Sequence, residues 1–164
     1  MDVYPWIVLV HVLSAFAFVM AHGASLFVTF RVRTDSDRVR LAALLDLSGS
    51  SLTLTFVSLG VATLSGVAAA IVGGHFSQFW PWAAIGVLIV VSIVMTPLAT
   101  YPLTAVRRGL GQQNQEDKKK GITPEPVGDA ELAAVRARVR PERVTVIGLV
   151  GLAVLVWLMQ LKPF

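Results

Sequence analysis

Two long stretches of this chain carry no charged side chain, Ile7 to Phe30 and Leu47 to Val106. The second divides at GGHFSQFWP, residues 73–81, where glycines, polar side chains and a proline mark a turn. A last apolar run extends from Val144 to Leu161. Each segment is at least about 18 residues, enough at about 1.5 Å per residue to cross a hydrocarbon core of about 30 Å with tilt or flanking residues. The runs are continuous rather than alternating, and a single strand in lipid would leave its backbone groups unpaired. The pattern therefore predicts an all-α fold: one polytopic four-helix transmembrane bundle spanning 1–164 as a single domain. The spans fall at about 4–30, 50–73, 81–106 and 142–161, joined by polar segments 31–49 and 107–141.

Composition agrees, since 55% hydrophobic and 15% charged residues lie outside the usual soluble-domain mix. The first run follows MDVYPW, which lacks the positive flank of a secretory signal, and its apolar part is too long for one; a retained helix is expected. The chain has no cysteine, which excludes disulfides, thiolate metal sites and cysteine nucleophiles.

Charge supplies the orientation. Arg31, Arg33, Arg38 and Arg40 follow the first span, and nine Lys and Arg residues lie between Arg107 and Arg143. Only Lys162 falls at the other end. The positive-inside bias then places both termini and the 73–81 turn outside and both basic segments in the cytoplasm, with the chain multi-pass in the membrane. Trp6, Trp80, Trp82 and Trp157 all map to the outer interface, where amphipathic rings prefer to sit. The net charge of +4 is concentrated beside the spans and mixed with acids, which points to anionic lipid headgroups as partners and not to nucleic acid.

Within the second basic segment, GLGQQNQEDKKKGITPEPVG reads as a flexible loop. DAELAAVRARVRPER then offers Asp129 as an N-cap and a Leu132, Val135 and Val139 stripe, predicting a short interfacial helix that anchors the chain or docks a partner. TDSDRVRLAALLDLSGSS reads as a second interfacial helix leading into the second span. Asp46, near the boundary, is a solvated or Arg-paired carboxylate or else a proton-handling group.

The helical period assigns the interior faces. His11, Ser14, Ala15, Phe18, His22, Ser25 and Thr29 share one face of the first helix, and Ser51, Thr55, Ser58, Ala62, Ser65 and Ala69 form a small, weakly polar stripe on the second, beside Gly60 and Gly66. Such seams let helices approach closely, so the two are expected to pack antiparallel along them. In the third helix, Pro97 and Pro102 predict a bend, and Ser92 and Thr96 are expected to line the interior. His22, Met95 and Thr96 reach similar depth to Thr53 and Thr55. This predicts a polar pocket or a hydrogen-bonded core.

Three imidazoles and the methionines are the chemical inventory, suited to copper or haem iron. His11 and His22 are about 16 Å apart on one helix and cannot share an ion. Met20 points nearly opposite to His22. An inward-folded turn would let His75 join His11 at a two-histidine haem or copper site; the alternative for His11 is a hydrogen bond to the neighbouring helix. There is no phosphate loop, no HExxH and no embedded carboxylate pair, which weighs against an autonomous enzyme.

The first helix with its exit, LVHVLSAFAFVMAHGASLFVTFRVR, resembles the small four-helix bacterial integral membrane proteins of the copper-resistance-D-like class. The resemblance implies a multi-pass protein of a bacterial inner membrane, with His11 as the first ligand candidate. The expected function is a non-enzymatic membrane component that binds or helps to move haem b or copper through His11, with His22 or His75. The alternative is a structural or assembly subunit, in a homo-oligomer or with another membrane protein.

Overall fold

A computed structural model describes residues 2–163, and among these the regular structure is helical throughout. The four long helices are α1 (Tyr4–Thr34), α2 (Arg38–Val72), α3 (Trp80–Gly109) and α6 (Pro141–Leu161). Two short ones, α4 (Gln115–Lys120) and α5 (Asp129–Arg136), lie in the segment between α3 and α6. All four long helices are long and apolar enough to cross a membrane.

The expected spans are present, but α2 begins well before residue 50. Asp37 caps it by accepting from the Val39 and Arg40 amides, at 2.9 and 3.0 Å. No proline follows to interrupt the ladder, and extending an existing helix is cheap. The stretch expected as a separate interfacial helix is thus the first third of α2, whose 35 residues reach about 52 Å. Pro81 sits in the first turn of α3, where its missing amide costs no hydrogen bond. Pro97 and Pro102 lie inside α3, which keeps its helical assignment through both.

The bundle is built from two helix pairs. α1 packs on α2 along most of its length and α3 packs on α6, whereas α2 meets α3, and α1 meets α6, over few residues. The α1–α2 seam repeats every seven residues, through Ser14, Ala21 and Val28 on one helix and Leu41, Ser48, Thr55 and Ala62 on the other. Heptad spacing of small residues gives close antiparallel packing with a left-handed drift.

The most deeply buried apolar cluster lies at the Arg-rich end. Val28, Val32, Leu41, Leu45 and Val106 meet Leu132 of α5 and Val139 just beyond it. Gly109 makes this possible, since a Cβ there would stand 3.2 Å from Leu132 and 3.3 Å from Val127. α5 is therefore tucked against the helix ends, its Leu132 wholly inside protein. Asp129 does not cap it: Gly128 holds the N-cap position, and the Asp129 carboxylate takes Arg38 at 2.7 Å. A charged guanidinium is a stronger partner than a neutral backbone amide.

The stretch read as a flexible loop carries α4. Asn114 and Asp117 form a reciprocal capping box, and Gly121 ends the helix at φ 65°, where a side chain would be strained. Asp117 is also fully buried and bound by Arg108 in a two-point ion pair. The Arg108 hydrogen bond holds its carboxyl below the usual range, against the opposing effect of desolvation.

Candidate functional site

His11 lies in the α1–α2 seam, and its Nδ1 is 2.8 Å from the carbonyl oxygen of Ala62. A carbonyl can only accept, so Nδ1 carries the proton and, in the neutral ring, Nε2 carries the lone pair. The ring occupies space left by Gly66, where a Cβ would stand 2.9 Å from Cε1. The interhelical hydrogen bond weighed for His11 is thus formed. It is also the bond that typically orients a ligating imidazole.

His22 turns elsewhere. Its Nε2 lies 3.4 Å from the position a Cβ would take on Gly148 of α6, and the Met95 methyl of α3 lies 3.5 Å from the same point. Its ring stacks on Phe18 at 5.6 Å. The two histidines therefore do not share one neighbour. A straight helix brings positions eleven apart back to within about 20°, but the seam follows a heptad. In that repeat His11 falls on the seam with Phe18 and Ser25, while His22 falls one position past Ala21, toward α6.

Around this junction Met95 is 8% exposed, and Ser25 has a buried hydroxyl with no hydrogen-bond partner among the described residues. Thr96, expected to line the interior, is on the exposed face and bonds back to the Ser92 carbonyl at 2.7 Å. Its neighbour Met95 takes the interior position instead. The remaining seam residues lie largely as expected: Ser14, Thr55 and Ser58 are buried, and Ser51 and Ser65 partly so. Their hydroxyls bond to carbonyls of their own helix, as at Thr55 to Ser51 and Ser65 to Val61, which satisfies them without a partner helix.

His75 sits in the turn between α2 and α3, with its ring beside Gly73 and 5.6 Å from that of Trp80. Lys162 covers the same indole at 5.4 Å. Gly66, which adjoins His11, and Gly73, which adjoins His75, are seven residues apart on α2, about 10 Å along the axis. Among the described residues no group of three His, Asp or Glu side chains is placed to hold a metal.

The glycines of α6 were missed in the sequence. Gly148 opens the gap between His22 and Met95, and Gly151 receives Val91, whose Cγ2 would stand 2.7 Å from a Cβ. Their spacing in an otherwise apolar helix is the signal that could have found them. A cavity of about 540 Å³ lies at the Arg-rich end, lined in part by Tyr101, Arg108, Glu116, Glu125 and Glu131. No family model matches this chain, and no curated protein or solved structure matches it either.

Proposed function

We propose that this chain is a non-enzymatic component of a bacterial inner membrane that holds or passes on a soft metal ion, cuprous copper, through His22 of α1 and Met95 of α3. The observation that carries this reading is the convergence of His22 Nε2 and the Met95 methyl on the gap at Gly148. Imidazole nitrogen and thioether sulfur are suitable donors for a cuprous ion, and the Met95 sulfur is one bond from that methyl. The gap admits something the size of a methyl group. A porphyrin does not fit there, so haem b would fall to His11 Nε2.

Copper would enter as cargo, and the residues would orient it without redox work of their own. Titrating cuprous ion into the purified chain against a coloured chelator tests this. Binding is expected to be lost in His22→Ala and weakened in Met95→Leu. It is also expected to weaken in Gly148→Ala, whose added methyl meets its neighbours at ordinary contact distance and leaves the helices in place. His11→Ala should retain it. Equal binding by the wild type and His22→Ala would refute the site. A Soret band that shifts on adding haem, and is lost in His11→Ala, would instead favour haem.

The slight contact between the two helix pairs favours a second reading, a structural subunit completed by another copy or another membrane protein. A stoichiometric membrane partner that co-purifies would support it.

We also infer that the Arg-rich end faces the cytoplasm, from the bias of basic residues. The chain has no native cysteine, so Ser77→Cys and Lys119→Cys can each be labelled from one side in intact cells. Ser77→Cys should react with an impermeant maleimide and Lys119→Cys should not. The reverse result would invert the topology.

A further inference from the structure

The arginines at the basic end divide into two sets. Arg31 and Arg40 are paired with Asp35, Arg38 with Asp129, Arg107 with Asp46 and Arg108 with Asp117. Arg33, Arg136, Arg138, Arg140 and Arg143 have no carboxylate within 4.0 Å among the described residues. The second set is gathered at one corner. Four of its members lie within eight residues where α5 turns into α6, and the fifth reaches them from the last turn of α1. Arg33 donates from its guanidinium to the carbonyl of Val139, at 2.5 Å, and Val139 is itself locked in the buried cluster. The corner is therefore held in place by a core residue.

One of these arginines is incomplete as it stands. The Nε of Arg136 is buried and has no hydrogen-bond partner among the described residues. Only that nitrogen is enclosed: the side chain as a whole is partly exposed, so its terminal nitrogens reach the surface and are open to an anionic acceptor. The neighbouring acids do not supply one. Asp129 is engaged by Arg38, Glu131 lines the cavity against α3 and α4, and Glu142, exposed in the first turn of α6, forms no ion pair among the described residues. The corner also sits where α1 leaves and α6 enters the apolar spans, at the level expected for lipid phosphates.

We propose that Arg33, Arg136, Arg140 and Arg143 form a binding site for the phosphate of an acidic membrane lipid, such as phosphatidylglycerol. Guanidinium groups suit this task because their planar N–H donors can take two phosphate oxygens at once. The paired arginines are already neutralised by their carboxylates and contribute little. This site is independent of the histidines of α1.

The test compares the purified full chain in vesicles of phosphatidylcholine alone and of phosphatidylcholine with phosphatidylglycerol, reading lipid retention by native mass spectrometry and the thermal midpoint. Phosphatidylglycerol is expected to be retained and to raise the midpoint. Arg136→Gln, and separately the double variant of exposed positions Arg140→Gln and Arg143→Gln, should each lower retention, by about five-fold for each arginine removed. Arg40→Gln, which removes an already paired charge, should leave retention unchanged. Equal loss in Arg40→Gln, or no preference for phosphatidylglycerol, would overturn the proposal. Inorganic phosphate added to the phosphatidylcholine sample should not reproduce the shift; if it does, the ligand is free phosphate and the lipid assignment fails.

Discussion

His11 and Gly66 occupy the same small volume between α1 and α2: the imidazole lies where the glycine has no side chain, and its Nδ1 reaches the Ala62 carbonyl one turn away. Each residue permits the other. Gly66→Ala would place a methyl 2.9 Å from Cε1, and the ring cannot retreat without giving up its hydrogen bond. The expected cost is about 1–3 kcal/mol, typical of overpacking. His11→Phe keeps the bulk but removes the bond, and should cost about 1 kcal/mol. Reversible unfolding in mixed micelles measures both. If Gly66→Ala is neutral, the ring is not held as described.

The pair α3–α6 depends on Gly151 in the same way. A Cβ there would meet Val91 Cγ2 at 2.7 Å, whereas one on Gly148 meets nothing closer than 3.4 Å. Gly151→Ala should therefore destabilise the bundle by about 1–3 kcal/mol and Gly148→Ala by much less. Restoring stability with Gly151→Ala combined with Val91→Ala would confirm that the clash is local. A lack of rescue would place the strain elsewhere.

At the Arg-rich end, Arg107 joins α3 to α2 by pairing with Asp46 at 2.9 Å and by donating to the Leu45 carbonyl. Asp46 is thus the Arg-paired carboxylate that was one of its two readings. Asp46→Asn should remove the modest ion pair, about 0–1 kcal/mol for so exposed an acid, while Arg107→Ala also removes the added hydrogen bond to the Leu45 carbonyl and should cost more. The ratio of the two effects, measured by the same unfolding assay, separates charge from backbone anchoring.

Asp117 makes the fold of the α3–α5 segment sensitive to acid. Its carboxyl is held below the ordinary value of 3.8, chiefly by Arg108. A depressed folded-state value means that the stabilisation is complete above the ordinary value and is lost as pH falls through the lowered one. Limited proteolysis of residues 110–128 by an acid-active protease should stay slow at pH 5. It should accelerate only well below the ordinary carboxylate range. Asp117→Asn should be cut quickly at both, because it loses the ion pair and weakens the cap of α4. Equal resistance of this variant at pH 5 would show that α4 is held by other contacts.

Much of the architecture could be read from residue order because a bilayer admits few solutions. A run without charges must form its own hydrogen bonds, so helix number and approximate position follow from hydropathy alone. The weakly polar stripe on α2 was legible for the same reason, since small residues recur at helical spacing. The boundary at Arg38 was less so, because charges near a span say where the lipid ends and not where the helix does.

What the chain alone could not provide was the direction in which neighbouring side chains on one helix part company. Sequence placed His11 and His22 on a single face through an ideal period of 3.6. Tertiary packing follows a seven-residue seam, and that difference sends one ring to Ala62 of α2 and the other toward Gly148 of α6. It likewise decided that Met95 faces inward and Thr96 outward, that α5 buries Leu132 in the bundle, and which arginines are neutralised by carboxylates. Span number and polarity are properties of local composition. Partners are set by contacts between residues distant in sequence, which only the packed helices bring together.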